Sequence, residues 1–371
     1  STTLAAGANT INLSLTGNPL VVSGTFTAGT STVNFNGSGA QNIPGLTYYN
    51  LNTATGNTKT LQGSTTVSNV LTVGASTTLA AGANTINLSL TGNPLVVSGT
   101  FTAGTSTVNF NGSGAQNIPA QTYYNLSTST GNTKTLQGTT TVSNILTINA
   151  STTLAAGAHT LNLSRDGTPL IVNGTFTAGT STVNFNGVGA QNIPALTYYN
   201  LNTSNGDIKS LLGTTTVSNI LTVNASTTLD LAEFILNLSG AGTPLVNNGT
   251  FTSGTSTVNF TSASSTNIPA LNYYDLNLTG GARVLANTGI IGIAGEFTTG
   301  AGGFTVTNST VEFNGDSDQT IPSFTFFSLL ISGGGSKLID SVVNVSEIKI
   351  EDGAIVSLFS DGSGILNITN E

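Results

Sequence analysis

The sequence predicts an all-β protein with the fold of a parallel β-helix (β-solenoid). Three observations predict it: a long internal repeat, short stretches in which polar and apolar residues alternate, and the lack of apolar spacing typical of a helix. The stretch Gly24–Pro44 returns unchanged at Gly99–Pro119, with one substitution at Gly174–Pro194, and loosely at Gly249–Pro269. Self-similarity at a fixed period is the signature of a repeat architecture.

The repeat restarts at a constant interval. It predicts one solenoid over residues 1–371, with approximate repeats 1–75, 76–150, 151–225 and 226–300 and divergent carboxyl-terminal coils over 301–371. The last interval, from Ile268 to Ile321, is shorter than the earlier ones by close to the length of one coil. Because a solenoid can lose one whole coil and stay in phase, we expect about three coils per repeat, averaging about 25 residues. Variable coil length favours a right-handed solenoid.

Local patterns predict the strands and the core. Thr32–Asn36 alternates polar and apolar residues, and Asn36-Gly37 is a turn signal directly after it. In stacked coils the inward residues of such strands form continuous apolar columns. The predicted core columns contain Val33, Phe35, Val108, Phe110, Val183, Phe185, Val258, Phe260, Val311 and Phe313.

A pair of aromatic residues recurs after each of these strands, first as Tyr48-Tyr49. Alternation with Leu51 predicts that Tyr49 points inward and Tyr48 outward. An exposed aromatic stripe would suit contact with sugars or with a neighbouring fibre. A corner that buries both rings is the alternative interpretation. The candidate contact stripe consists of Tyr48, Tyr123, Tyr198 and Tyr273.

The composition excludes several classes of protein. Charged residues are only 6 % of the chain, but apolar residues are 37 % and recur in register, which favours a folded protein over a disordered one. Residues 1–165 contain no acid and carry a formal charge of +3, whereas residues 166–371 carry −11. Seven basic residues without a cluster argue against nucleic-acid binding. No stretch is apolar enough for a membrane span, and cysteine is absent.

No pattern in the sequence predicts catalysis, a cofactor or a metal. The single histidine, His159, occupies the phase of a surface turn. Asp316 with Asp318, and Asp361 with Gly364, match no calcium-binding loop, so we interpret them as solvated turns. Ice binding needs a threonine row on nearly every coil, and asparagine and serine interrupt these rows. We therefore predict a protein that is not an enzyme.

Several blocks of the repeat resemble a family of repeats found in bacterial cell-surface and secreted proteins. The blocks are Asn247–Thr252, Ser256–Phe260 and Tyr198–Asn202. The resemblance covers nearly the whole chain. It implies an exported, extracellular β-solenoid of the adhesin or surface-fibre kind. It implies no activity and no site residues.

The sequence favours a structural function outside the cell. We expect a surface fibre subunit or stalk that polymerises head to tail with itself through its end coils, because the repeats are nearly identical, lack catalytic residues, and begin in full repeat phase without a visible cap. The opposite formal charges of residues 1–165 and 166–371 favour the same contact. The divergent residues after Ser328 are a candidate cap. The alternative is an adhesin that binds carbohydrate or a cell surface through the tyrosine stripe.

Overall fold

A computed structural model describes residues 2–358 and 363–369. The chain forms two compact units, Ser1–Asn186 and Gly187–Glu371, which we describe separately. The described residues contain no helix, and strands account for 53 % of the chain. All paired strands are parallel and stack as the coils of a β-solenoid, with about 18 coils in total. The fold class predicted from the sequence is confirmed.

The first unit contains short strands of two to five residues. They are β1 Thr3–Ala5, β2 Thr10–Leu13, β3 Thr25–Thr27, β4 Thr32–Phe35, β5 Gln41–Ile43, β6 Thr47–Tyr48, β7 Asn50–Thr53, β8 Asn57–Leu61, β9 Thr65–Val67, β10 Leu71–Val73, β11 Thr77–Ala80, β12 Thr85–Leu88, β13 Leu95–Val97, β14 Thr100–Thr102, β15 Thr107–Phe110, β16 Gln116–Ile118, β17 Thr122–Tyr123, β18 Asn125–Thr128, β19 Asn132–Leu136, β20 Thr140–Val142, β21 Leu146–Ile148, β22 Thr152–Ala155, β23 Thr160–Leu163, β24 Leu170–Val172, β25 Thr175–Thr177 and β26 Thr182–Phe185.

The second unit adds longer strands that run around corners, notably β28, β30, β45 and β47. Its strands are β27 Gln191–Ile193, β28 Thr197–Thr203, β29 Asp207–Leu211, β30 Thr215–Val223, β31 Thr227–Asp230, β32 Ile235–Leu238, β33 Leu245–Asn247, β34 Thr250–Thr252, β35 Thr257–Phe260, β36 Thr266–Ile268, β37 Asn272–Tyr273, β38 Asp275–Leu278, β39 Arg283–Leu285, β40 Ile290–Ile293, β41 Phe297–Thr299, β42 Phe304–Thr305, β43 Thr310–Phe313, β44 Gln319–Ile321, β45 Phe324–Ile331, β46 Ser336–Ile339, β47 Val342–Ile350, β48 Ile355–Leu358 and β49 Ile365–Ile368.

Each coil of the first unit after the first one has three strands, one on each of three faces; at the start, β1 pairs with β3 and β2 with β4. Strands three apart in the chain are hydrogen-bonded neighbours, as in the series β4–β7–β10–β13 and β5–β8–β11–β14. Side chains stacked on neighbouring coils are 18, 20, 22 or 24 residues apart. The coils are therefore shorter than the average length expected from the sequence.

The sequence repeat and the coil do not coincide. The equivalent strands β4, β15 and β26 are eleven strands apart, so with three strands per coil one sequence repeat makes three and two-thirds coils. Within the first unit these strands consequently lie in three different sheets. In the second unit β35 and its equivalent β43 are only eight strands apart, which is one coil fewer. The shortened last interval thus lacks one whole coil.

Alternation along each strand builds the core. The pattern of β4, in which Val33 and Phe35 are fully buried between half-buried neighbours, recurs in β15, β26, β35 and β43. All ten residues predicted for the core columns are at most 1 % exposed. Val33 stacks on Ile11 and Leu51, which come from other parts of the repeat. Burial of each such side chain contributes roughly 1.5–3 kcal/mol.

Candidate functional site

The four tyrosines predicted to form an exposed stripe are buried, so this prediction is wrong. The exposed fraction is 0 % for Tyr48, Tyr123 and Tyr198 and 1 % for Tyr273. Each phenol hydroxyl donates to the carbonyl oxygen of the proline four residues earlier, at 2.8–3.0 Å. Burial raises the pKa of all four phenols well above the ordinary value of 10.0. These side chains hold a corner of the coil together and are not accessible at the surface.

The orientation of these tyrosines was predicted wrongly because the chain turns at this point from one face of the coil to the next. β6 ends at Tyr48 and β7 begins at Asn50 on the next face, so the alternation of inward and outward residues restarts at Tyr49. In the second unit, the pairing of β28 with β30 shifts register between Tyr198 and Asn200, at the same corner. The second ring of each pair is half-buried, as seen for Tyr49, Tyr124, Tyr199 and Tyr274.

Equivalent surface residues in the first unit also lie on different faces. Tyr49 follows β6, whereas Tyr124 follows β17, and these two strands belong to different sheets. The reason is the extra two-thirds of a coil in each repeat. These aromatic rings therefore form separate patches in the first unit rather than one continuous stripe.

A buried lysine is the centre of a polar cluster that recurs at another corner. Lys59 is fully buried and pairs in register with Gln41 of the preceding coil. Its Nζ donates to Gly37 O at 2.6 Å and to Gly39 O at 2.8 Å. We name this arrangement, a buried cation enclosed by the carbonyl groups of a tight loop, the cation corner.

The side chain of Gln41 closes the loop from its other side. Its amide oxygen accepts from the Gly37 N–H at 3.1 Å, and its amide nitrogen donates to Leu13 O and Leu15 O, both at 2.7 Å. Gly37 is needed here because a Cβ would lie 2.8 Å from Gln41 Nε2 and 2.7 Å from Ser14 O. The loop is thus held between an amide and an ammonium group.

The cation corner is repeated in both units. Lys134 Nζ donates to Gly112 O and Gly114 O at 2.6 and 2.9 Å, and Lys209 Nζ donates to Gly187 O and Gly189 O, both at 2.7 Å. Lys337 Nζ binds Gly315 O and Gly334 O at 2.6 and 2.5 Å. In the fourth repeat the cation is Arg283, which pairs in register with Thr266.

The carbonyl groups hold these cations without a carboxylate in the first unit's repeats. Burial lowers the pKa of Lys59 and Lys134 below the ordinary value of 10.5, since the charged ammonium loses its hydration. Burial also lowers the pKa of Lys337, and the nearby Asp316 and Asp318 partly oppose this shift. The chemistry available at a cation corner is therefore hydrogen bonding to the main chain.

Lys59, Lys134 and Lys209 share one position in the sequence repeat, but their burial was not predicted. The strand Asn57–Leu61 contains the pattern that could have predicted it. Lys59 and Leu61 are two residues apart and therefore face the same, inward side. A lysine at an inward strand position in a chain with so few charges indicates a buried cation.

The remaining candidates form no reactive cluster. His159 is half-buried beside a turn, and Asp316 and Asp318 are exposed. Asp361 lies outside the described residues. Across residues 2–358 and 363–369, no group of three or more histidine, aspartate or glutamate side chains is placed to hold a metal ion.

Comparisons with known proteins found no match: no family model, no curated protein and no solved structure is similar to this chain. Within the described part of the chain, no helix is long and apolar enough to cross a membrane.

Proposed function

We propose that this chain is a non-catalytic structural protein of the cell exterior, a stalk or fibre subunit. The proposal rests on the observation that the buried polar side chains bind the protein's own main chain. In the repeated corners, the lysine, the glutamine and the tyrosine bind main-chain atoms of their own or a neighbouring coil. Groups arranged for catalysis would instead point towards a substrate. The resemblance to surface-protein repeats supports the extracellular location.

Self-association through the end coils is the finer part of the proposal. Leu4 is 49 % exposed, whereas Leu79 and Leu154 at the same repeat position are fully buried. In the second unit, Ile365 and Ile368 of β49 are 44 % and 61 % exposed. A second copy stacked head to tail would cover such side chains and pair the open strand edges. The formal charges of +3 and −11 would attract the unlike ends.

Electron microscopy of the full chain at low and high salt tests this proposal. We expect fibres at low salt that become shorter or fewer at high salt, because screening weakens the attraction. The variant Leu4→Asp/Ile368→Asp should give isolated particles. The control Thr102→Asp/Thr252→Asp adds the same charge at exposed strand positions and should still form fibres. Isolated particles of the unaltered chain at both salt concentrations would reject self-association.

The non-catalytic part is tested separately. The purified chain is incubated with a panel of polysaccharides, and the release of reducing ends is measured. We expect none. Sustained release by the chain, but not by heat-denatured chain, would contradict the proposal.

A further inference from the structure

One face of the first unit is interrupted beside β13. The sheet formed by β2, β4, β7, β10 and β13 ends at β13, and the sheet that contains β16 begins in the next coil. The backbone pairing of the two coils there is reduced to the isolated bridge between Gly92 and Gln116. The ladder of backbone hydrogen bonds between these coils is therefore interrupted for the length of one strand.

The interruption leaves a backbone edge open. Ser98 N–H donates to Val73 O at 2.9 Å, and Val96 pairs with Thr72, so Val96 directs its backbone groups towards β10. Alternate residues of a parallel strand use opposite edges. Leu95 and Val97 accordingly direct their N–H and C=O groups to the interrupted side, where no described residue accepts or donates.

A groove of about 350 Å³ follows this edge. Asn93, Asn117 and Gln137 form an amide ladder along its rim: Asn117 donates to Asn93 Oδ1 at 2.8 Å, and Gln137 donates to Asn117 Oδ1 at 3.0 Å. Val96, which is 40 % exposed, and Pro119 supply an apolar floor.

The second unit has a groove at a partly equivalent position. Thr243, Asn267 and Pro269 line it as Asn93, Asn117 and Pro119 line the first groove, but no residue of β33 does. β33 pairs only with β30 along this edge, and the isolated bridge is Gly242–Thr266. The groove here is about 410 Å³. Asn267 donates to Thr243 Oγ1 at 2.9 Å on its rim, and Pro269 and Val284 lie on its floor. The polar rim and the proline are thus common to both grooves, whereas the rest of their lining differs.

We propose that these two grooves bind uncharged polysaccharide. No charged residue lines either of them. Amide and hydroxyl side chains offer both donors and acceptors, which match sugar hydroxyl groups, and the aliphatic floor matches the C–H face of a sugar ring. The volumes lie within the range of small-molecule sites. This binding is independent of the stalk proposal and uses none of the buried tyrosines.

An extended peptide fits the grooves less well. Strand addition requires a row of paired N–H and C=O groups. β13 offers only Leu95 and Val97 on the open edge, and the opposite wall ends at Pro119, which has no N–H.

The first repeat carries the same amide ladder on another face. Asn42 donates to Asn18 Oδ1 at 2.7 Å, and Gln62 donates to Asn42 Oδ1 at 2.9 Å. Asn42 lies in β5, whereas Asn117 lies in β16, and these strands belong to different sheets. Amide ladders within the first unit therefore face more than one direction.

Affinity electrophoresis of the full chain tests the proposal. The native gels contain dextran, a β-1,3-glucan or a mannan as neutral probes, and alginate or chitosan as charged probes. The variant Val96→Asp/Val284→Asp places a carboxylate in each groove, and the control Thr102→Asp/Thr252→Asp adds the same charge outside them. Circular dichroism and thermal melting verify that both variants fold.

We expect at least one neutral polysaccharide to retard the unaltered chain and the control. The groove variant should bind about tenfold more weakly, because its buried charge lacks a partner in the complex. Three results overturn the proposal: no retardation by any neutral probe, equal retardation of the groove variant, or displacement of the bound polysaccharide by an alternating Val-Thr peptide at equal mass. Fibre formation by the unaltered chain is scored separately, so either proposal can fail without the other.

Discussion

The same corner is built around Lys134 in the first unit and around Arg283 in the second, where Lys209 and Lys337 also occupy such corners. Lys134 pairs in register with Gln116, and Arg283 pairs with Thr266. Lys134 contacts two carbonyl oxygens, and Gln116 donates to two others, those of Leu88 and Leu90. The guanidinium group binds a larger set, namely the carbonyl oxygens of Phe260, Ser262, Ser264, Thr279 and Ala282. Thr266 Oγ1 donates to only one of these, Ser264 O.

Both corners therefore hold a buried cation against main-chain carbonyl groups, while the volume of the corner is shared between two side chains. A long amide stands beside the slender lysine, and a short threonine stands beside the bulkier arginine. Close packing explains the exchange, because an interior tolerates changes that conserve total volume.

Removal of the buried cation should lower the free energy of unfolding, and this effect should be the largest. Lys134→Ala leaves the buried carbonyl groups of Gly112 and Gly114 without their donor, at a cost of about 3 kcal/mol. Urea denaturation, with hydrogen exchange to locate the loss, measures it. Lys349→Ala is the control, because Lys349 is exposed in a surface ion pair with Glu351 and should cost below about 0.5 kcal/mol. Equal costs would show that the carbonyl groups do not need the cation.

Conversion of the lysine–glutamine corner into an arginine–threonine corner should have an intermediate effect on the free energy of unfolding. Lys134→Arg alone overfills the corner beside Gln116 and should cost roughly 1–3 kcal/mol. The additional change Gln116→Thr restores the volume balance seen at Arg283 and should recover at least half of that loss. A double-mutant cycle from urea denaturation measures the coupling. Strictly additive costs would contradict the idea of shared volume.

The change of the free energy of unfolding with pH should be the smallest of these effects. Because burial lowers the pKa of Lys59 and Lys134 below 10.5, the unfolded chain holds more protons on them as pH rises towards 10.5. Stability should therefore increase from neutral pH into this window. Above about pH 10 the buried phenols, whose pKa is raised, reverse the trend.

Urea denaturation between pH 7 and the alkaline range measures this curve. The variant Lys59→Met/Lys134→Met should show a smaller rise than the unaltered chain. A stability that falls steadily from neutral pH, with the same slope in both proteins, would contradict the role given to the buried lysines.

The parallel β-solenoid and its apolar columns could be predicted because they depend on short-range patterns. Alternation in Thr32–Phe35 places Val33 and Phe35 inside whatever the neighbouring coil contains. The shortened interval between Ile268 and Ile321 likewise indicated one missing coil. Both inferences needed only the period of a strand and the period of the repeat.

The tyrosine orientation and the grooves could not be predicted in this way. Whether Tyr48 or Tyr49 is inside depends on where the chain turns to the next face, and a corner resets the alternation. The groove at Leu95–Val97 exists because the next coil begins its ladder at Gly92 instead of along β13. Such a gap is a relation between coils and has no local pattern.

Sequence alone thus specified the strands, the inward columns and the loss of one coil, because each follows from residues close together in the chain. The three-dimensional fold decided which faces the repeats occupy, because a repeat of eleven strands is not a whole number of three-stranded coils. It also decided the partners of Lys59 and Arg283, since carbonyl groups distant in the chain meet these cations only when the coils stack.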